Sequence, residues 1–119
     1  MKKTAFLLDL LFIVLFVAIG RHAHEHGITV RGMASTFWPF GSGLLVGWLL
    51  LLILNRSGST PKNGAVIVCV TVTVGMLLRV IAGQGTALTF ILVALTFLSL
   101  FLIGWRALFS IIQRRFSKK

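Results

Sequence analysis

The sequence predicts an all-α membrane protein built as four transmembrane helices in an up-down bundle, a single domain over residues 1–119. Three observations carry that expectation. The chain is 57% hydrophobic and only 12% charged, with a mean hydropathy of +1.00. Its apolar residues fall in four long runs. Twelve Lys and Arg stand against two acids, and most of these cations flank the runs. A soluble domain of 119 residues could not hide so much apolar surface. Only helices and closed barrels satisfy their backbone in lipid, and continuous rather than alternating apolar runs select helices.

The first run covers residues 4–20, interrupted by Asp9. The second covers 37–54, the third 65–83 with Arg79 inside it, and the fourth 87–105. Each approaches the ~20 residues that cross ~30 Å of hydrocarbon at ~1.5 Å per residue. Met1-Lys2-Lys3 before an apolar run also suits a signal peptide. Asp9 within the run and the poor cleavage context at Arg21-His22 favour a retained first span instead. Ser35 or Thr36 is a candidate cap for the second helix, with Pro39 in its first turn. Thr60-Pro61 does the same for the third. Gly83-Gln84-Gly85-Thr86 reads as a tight turn closing a hairpin of the last two spans. Beyond the fourth span, Leu108, Phe109, Ile111, Ile112 and Phe116 alternate with Gln113, Arg114 and Arg115. That pattern suits a helix end at the headgroup boundary.

Four crossings put both termini on one side. There lie Lys2, Lys3, Arg56, Lys62, Arg106, Arg114, Arg115, Lys118 and Lys119, against Arg21, Arg31 and Arg79 at the other side. The positive-inside rule then makes both termini cytoplasmic, in a cell inner (plasma) membrane whose anionic lipids meet the basic face. Nucleic acid is not the expected partner, because the cations flank apolar runs rather than forming a soluble face interleaved with stacking aromatics. The lone Cys69, inside an apolar run, reads as a small buried hydrophobe. Phe37, Trp38 and Phe40 suit one aromatic belt and Trp105 the other, whereas Trp48 lies deeper and reads as packing. Gly43 and Gly47 form a G-x-x-x-G spacing for close helix approach. A faint internal repeat pairs Gly47-Trp48…Asn55-Arg56 with Gly104-Trp105…Gln113-Arg114.

Candidate functional residues fall in two polar layers. An intramembrane ionisable residue is costly in lipid, which makes it a functional candidate and a seeker of partners. Asp9 lies ~16 Å below the end of its span at Gly20, and Arg79 ~6 Å below Gly83. That ~10 Å difference in depth separates them, so Asp9 is expected to pair with Arg106. Arg79 joins Arg21, His24, Gln84 and Thr86 in the other layer, as contacts for a ligand or ion; snorkelling to headgroups is the alternative for Arg79. Asp9 is also carried as a ligand contact. His22, His24 and His26 with Glu25 are candidate metal ligands or a pH-responsive cluster, against a plain headgroup-facing loop.

The chain resembles a small family of bacterial integral membrane proteins, a domain of unknown function. The resemblance rests on Asp9, the Gly20-Arg21-x-x-His24 run, Thr36-x-Trp38-Pro39-Phe40, Arg79 followed by Gly83-Gln84-Gly85-Thr86, and Gly104-Trp105-Arg106. It implies a compact multi-helix membrane domain of this length and supplies no activity, substrate or cofactor. The expected function is transport or binding of a small, anionic solute or lipid headgroup through the polar intramembrane cluster. The alternative is an accessory subunit of a larger membrane complex, and a homodimer is the simplest assembly. No catalytic constellation and no cofactor motif is present, so an enzyme acting through the histidines ranks last.

Overall fold

The computed structural model describes residues 2–23, 30–84 and 88–117, and within these the chain is helical apart from its turns. The helices are α1 (Lys2–Ala23), α2 (Val30–Ile53), α3 (Pro61–Ile81), α4 (Leu88–Leu98) and α5 (Gly104–Ser117). A π-helical segment, Ser99–Ile103, joins α4 to α5 without a break, so these two form one fourth span. All four spans are long and apolar enough to cross a membrane. They are those of a multi-pass membrane protein. The alternation puts both termini and the α2–α3 turn at one end of the bundle, here the terminal end. The α1–α2 and α3–α4 connections define the loop end.

The boundaries depart from hydropathy in an instructive way. α2 begins at Val30, seven residues before the apolar run at Phe37. Ser35 and Thr36 are therefore interior residues rather than caps, and Pro39 sits well inside the helix instead of in its first turn. Helix formation needs only satisfied backbone and adequate propensity, which the stretch 30–36 supplies outside the hydrocarbon. The expectation at Thr60-Pro61 holds: Thr60 Oγ1 accepts from Asn63 N at 3.3 Å, and Pro61 opens the helix. α3 thus starts four residues before Ala65. It ends at Ile81, followed by Gly83 at φ 76°.

The core is aromatic at its centre. Phe16 of α1 meets Phe40 of α2 edge-on at 5.4 Å, and Phe97 and Phe90 of α4 at 5.4 and 5.9 Å. Phe40 is fully buried and is a core residue, not part of an interfacial belt, because its ring packs against Phe16 and Phe90. Cys69 is exposed on α3, contrary to its reading as a buried hydrophobe; an apolar run in lipid has an outward face as apolar as its inward one.

α2 and α3 share the largest contact of any pair. Gly43 permits it: a Cβ there would stand 2.5 Å from the Thr71 carbonyl oxygen, which belongs to backbone and cannot yield. A Cβ at Gly47 would meet Ile67 Cα at an ordinary 3.5 Å. Gly43→Leu is therefore expected to destabilise the bundle by about 1–3 kcal/mol or more, while Gly47→Ala is nearly neutral. Reversible unfolding in mixed micelles distinguishes the two.

Candidate functional site

Two polar nodes lie at opposite ends of the bundle. At the terminal end, Asp9 of α1 is completely buried, and so is Arg106 of α5. The guanidinium grips the carboxylate with both arms, Nη1 to Oδ1 at 2.8 Å and Nη2 to Oδ2 at 2.6 Å. Two indoles complete the carboxylate's shell. Trp48 Nε1 donates to Oδ2 at 3.0 Å and Trp105 Nε1 to Oδ1 at 2.9 Å. Four donors converge on two oxygens, which matches the acceptor capacity of a carboxylate.

Arg106 is held as firmly as the acid it holds. Its Nε donates to the Gly58 carbonyl at 2.8 Å and its Nη1 also to the Leu102 carbonyl at 2.9 Å. The guanidinium carbon lies 4.5 Å from the Trp105 ring centre. Two glycines make room for these side chains. A Cβ at Gly58 would overlap the Trp48 ring, and one at Gly64 would stand 2.6 Å from Arg106 Cδ. The node thus draws on α1, α2, the α2–α3 turn, α3 and α5.

The Asp9–Arg106 pair is the one their matching depths led us to expect. The indoles were not foreseen in this role. Trp105 turns its N–H inward to Asp9, because an indole donor in hydrocarbon takes the nearest acceptor. Trp48 is buried as expected, yet it is a hydrogen-bond donor and not packing alone. The signal was available in the sequence: the faint repeat places a Trp after a Gly at both positions, and one lone carboxylate stands opposite.

At the loop end, Arg79 Nη1 donates to Gln84 Oε1 at 3.0 Å, and its guanidinium carbon lies 4.5 Å from the Phe90 ring centre. Gln84 Nε2 donates in turn to the Ser35 carbonyl at 3.2 Å. The amide orientation follows from its neighbours, since guanidinium only donates and a carbonyl only accepts. Ser35 stands four residues before Pro39. Pro39 has no N–H, so the Ser35 carbonyl lacks its helical partner. Gln84 fills that vacancy from another helix connection. The proline in α2 therefore fixes Gln84, and Gln84 fixes Arg79.

His24, Glu25, His26 and Thr86 lie outside the described residues, as do the side chains of Arg21 and His22, whose backbone ends α1. Asp9 and Arg79 occupy different ends, as the depth difference required. Asp9, carried as a ligand contact, has each oxygen taken by two donors from the protein.

The terminal node yields a stability prediction. Asp9→Ala leaves a buried guanidinium unpaired and is expected to cost about 3–5 kcal/mol. Gly64→Ala, which keeps both charges, should also destabilise by crowding the Arg106 side chain, whose Cδ would lie 2.6 Å from the added Cβ. Equilibrium unfolding of the purified protein measures both.

No curated protein and no solved structure shows significant similarity to the chain. The family model DUF3054, described as a protein of unknown function, matches residues 6–109, a stretch that includes both nodes. The chain belongs to the DUF3054 family.

Proposed function

We propose that this protein binds an anionic group, either a lipid phosphate or a small anionic solute, at the loop end of its bundle through Arg79. The observation that carries this reading is the pre-set guanidinium: Arg79 is half-buried, stacked on Phe90 and steered by Gln84. Planar, oriented cations suit bidentate contact with phosphate or carboxylate, and pre-orientation lowers the cost of binding. Asp9, the acid of the first span, is committed to Arg106 at the other end. The terminal node is thereby assigned to structure and the loop node to ligand contact, with Arg21, His24 and Thr86 as proposed neighbours of Arg79. The excess of cations at the terminal end supports a cytoplasmic placement of both termini in the plasma membrane, with Arg79 towards the outer face.

The accessory-subunit reading has one observation in its favour. The fourth span is the least covered of the four, and its outer side carries an open groove lined by Leu95, Thr96, Ser99, Leu100 and Ile103. Stoichiometric co-purification of another membrane protein, lost on Ser99→Leu, would favour it.

Thermal unfolding of the full chain in an uncharged detergent tests the anion site. Short-chain phosphatidylglycerol and inorganic phosphate are the two probes. Stabilisation by the first alone identifies a headgroup site; stabilisation by the second identifies a free-anion site. Arg79→Gln should abolish the shift, and Pro39→Ala should weaken binding about tenfold by restoring a helical partner to the Ser35 carbonyl and releasing Gln84. No shift with either probe, or a full shift in Arg79→Gln, contradicts the proposal.

A further inference from the structure

The opposite end of the bundle, away from Arg79, carries a long, exposed helix end. The fourth span runs unbroken for 29 residues from Leu88 to Phe116, ~44 Å at 1.5 Å per residue. The hydrocarbon layer accounts for ~30 Å of that length, and the whole bilayer with its headgroups for ~40–45 Å. With Leu88 at one hydrocarbon edge the other falls near Leu108, and the turns of α5 beyond it pass out through the headgroup layer without any bend. Arg106, locked in the terminal node, sets the direction in which these turns leave the bundle.

These turns are two-faced. Leu108, Ile112 and Phe116 recur at four-residue intervals along one stripe, with Ile111 beside it, and all four are exposed. Arg114 and Arg115 occupy the last turn, and the sequence continues with Lys118 and Lys119. Something apolar with an anionic rim fits such a surface. A second copy of the chain does not. Its only acids are Asp9 and Glu25; Asp9 is buried against Arg106, and Glu25 belongs to the connection at the other end. Two apposed tails would bring cation against cation.

We infer that the last three turns of α5 form a binding surface for anionic lipid, with the apolar stripe seated at the acyl boundary and Arg114 and Arg115 on the headgroup phosphates. Snorkelling supplies the geometry: the arginine stems follow the apolar stripe and their charges reach the negative surface. The surface discriminates by charge, so a zwitterionic bilayer holds the tail much less firmly.

The test uses the full chain with Cys69→Ala, which removes the only cysteine, and Ile112→Cys carrying an environment-sensitive fluorophore. The protein is reconstituted into vesicles of phosphatidylcholine alone or with phosphatidylglycerol, and quenched with uncharged acrylamide. Anionic vesicles are expected to give a blue-shifted, quencher-protected label, and phosphatidylcholine an accessible one. Replacing Arg114 and Arg115 together with Gln should weaken association roughly thirty-fold, about five-fold for each cation at an anionic surface, and return the label to the accessible state. Arg79→Gln should leave the label unchanged, which separates this surface from the loop-end site. Circular dichroism verifies that each variant keeps its helices. Equal protection in both lipids, protection that survives loss of both arginines, or an accessible label in every vesicle that becomes protected only with an acidic membrane protein added, overturns the inference.

Discussion

A single carboxylate buried among four apolar spans sets the terms for this fold. Hydrocarbon offers Asp9 no water, so every lone pair must be met by protein. Arg106 meets two, and the indoles of Trp48 and Trp105 meet the others. Because these donors come from α2 and α5, satisfying one side chain fixes how far α1 slides and rotates against its neighbours. The rest follows from accommodating large groups at that point. Gly58 and Gly64 lack side chains where Trp48 and Arg106 pass, and the Gly58 carbonyl serves as a further anchor for Arg106. Ridge-and-groove packing of apolar helices in lipid has little directional preference, whereas this ion pair tolerates few arrangements.

The two ends of the bundle use the same polar vocabulary for different purposes. The terminal node is sealed, with both charges fully buried. The loop node is partly open, and its order comes from an absence: a proline that cannot donate leaves a carbonyl for Gln84 to claim. Such a vacancy holds a side chain from a neighbouring connection without any additional charge. It also links three features distant in sequence, Ser35 with Pro39, Arg79 with Gln84, and Phe90. An arginine held this way keeps its orientation, which is the arrangement that the proposed anion contact would use.

Much of this was legible in the residues. The four spans follow from hydropathy, and the Asp9–Arg106 pairing follows from counting depth at a fixed rise per residue. Helix starts were less legible, because α2 extends past the hydrocarbon into a stretch whose hydropathy says nothing about its helicity. That error carried another with it. With Pro39 placed in the first turn, no freed carbonyl existed, and the Gln84–Ser35 contact could not be foreseen. The donor role of Trp105 was not legible because the belt rule reads depth alone and ignores the acceptor that an indole N–H must find. Cys69 was misassigned because an apolar run in lipid does not distinguish inward from outward faces. The histidine segment, prominent in the sequence, falls mostly outside the described residues.

The claim on which the account turns is that Asp9 and Arg106 act as one unit. A double-mutant cycle of Asp9→Asn and Arg106→Gln, read by reversible unfolding in mixed micelles, measures that directly. The account predicts a coupling energy of about 2–3 kcal/mol, the double variant losing far less than the sum of the singles. Additive losses, with coupling near zero, would contradict it.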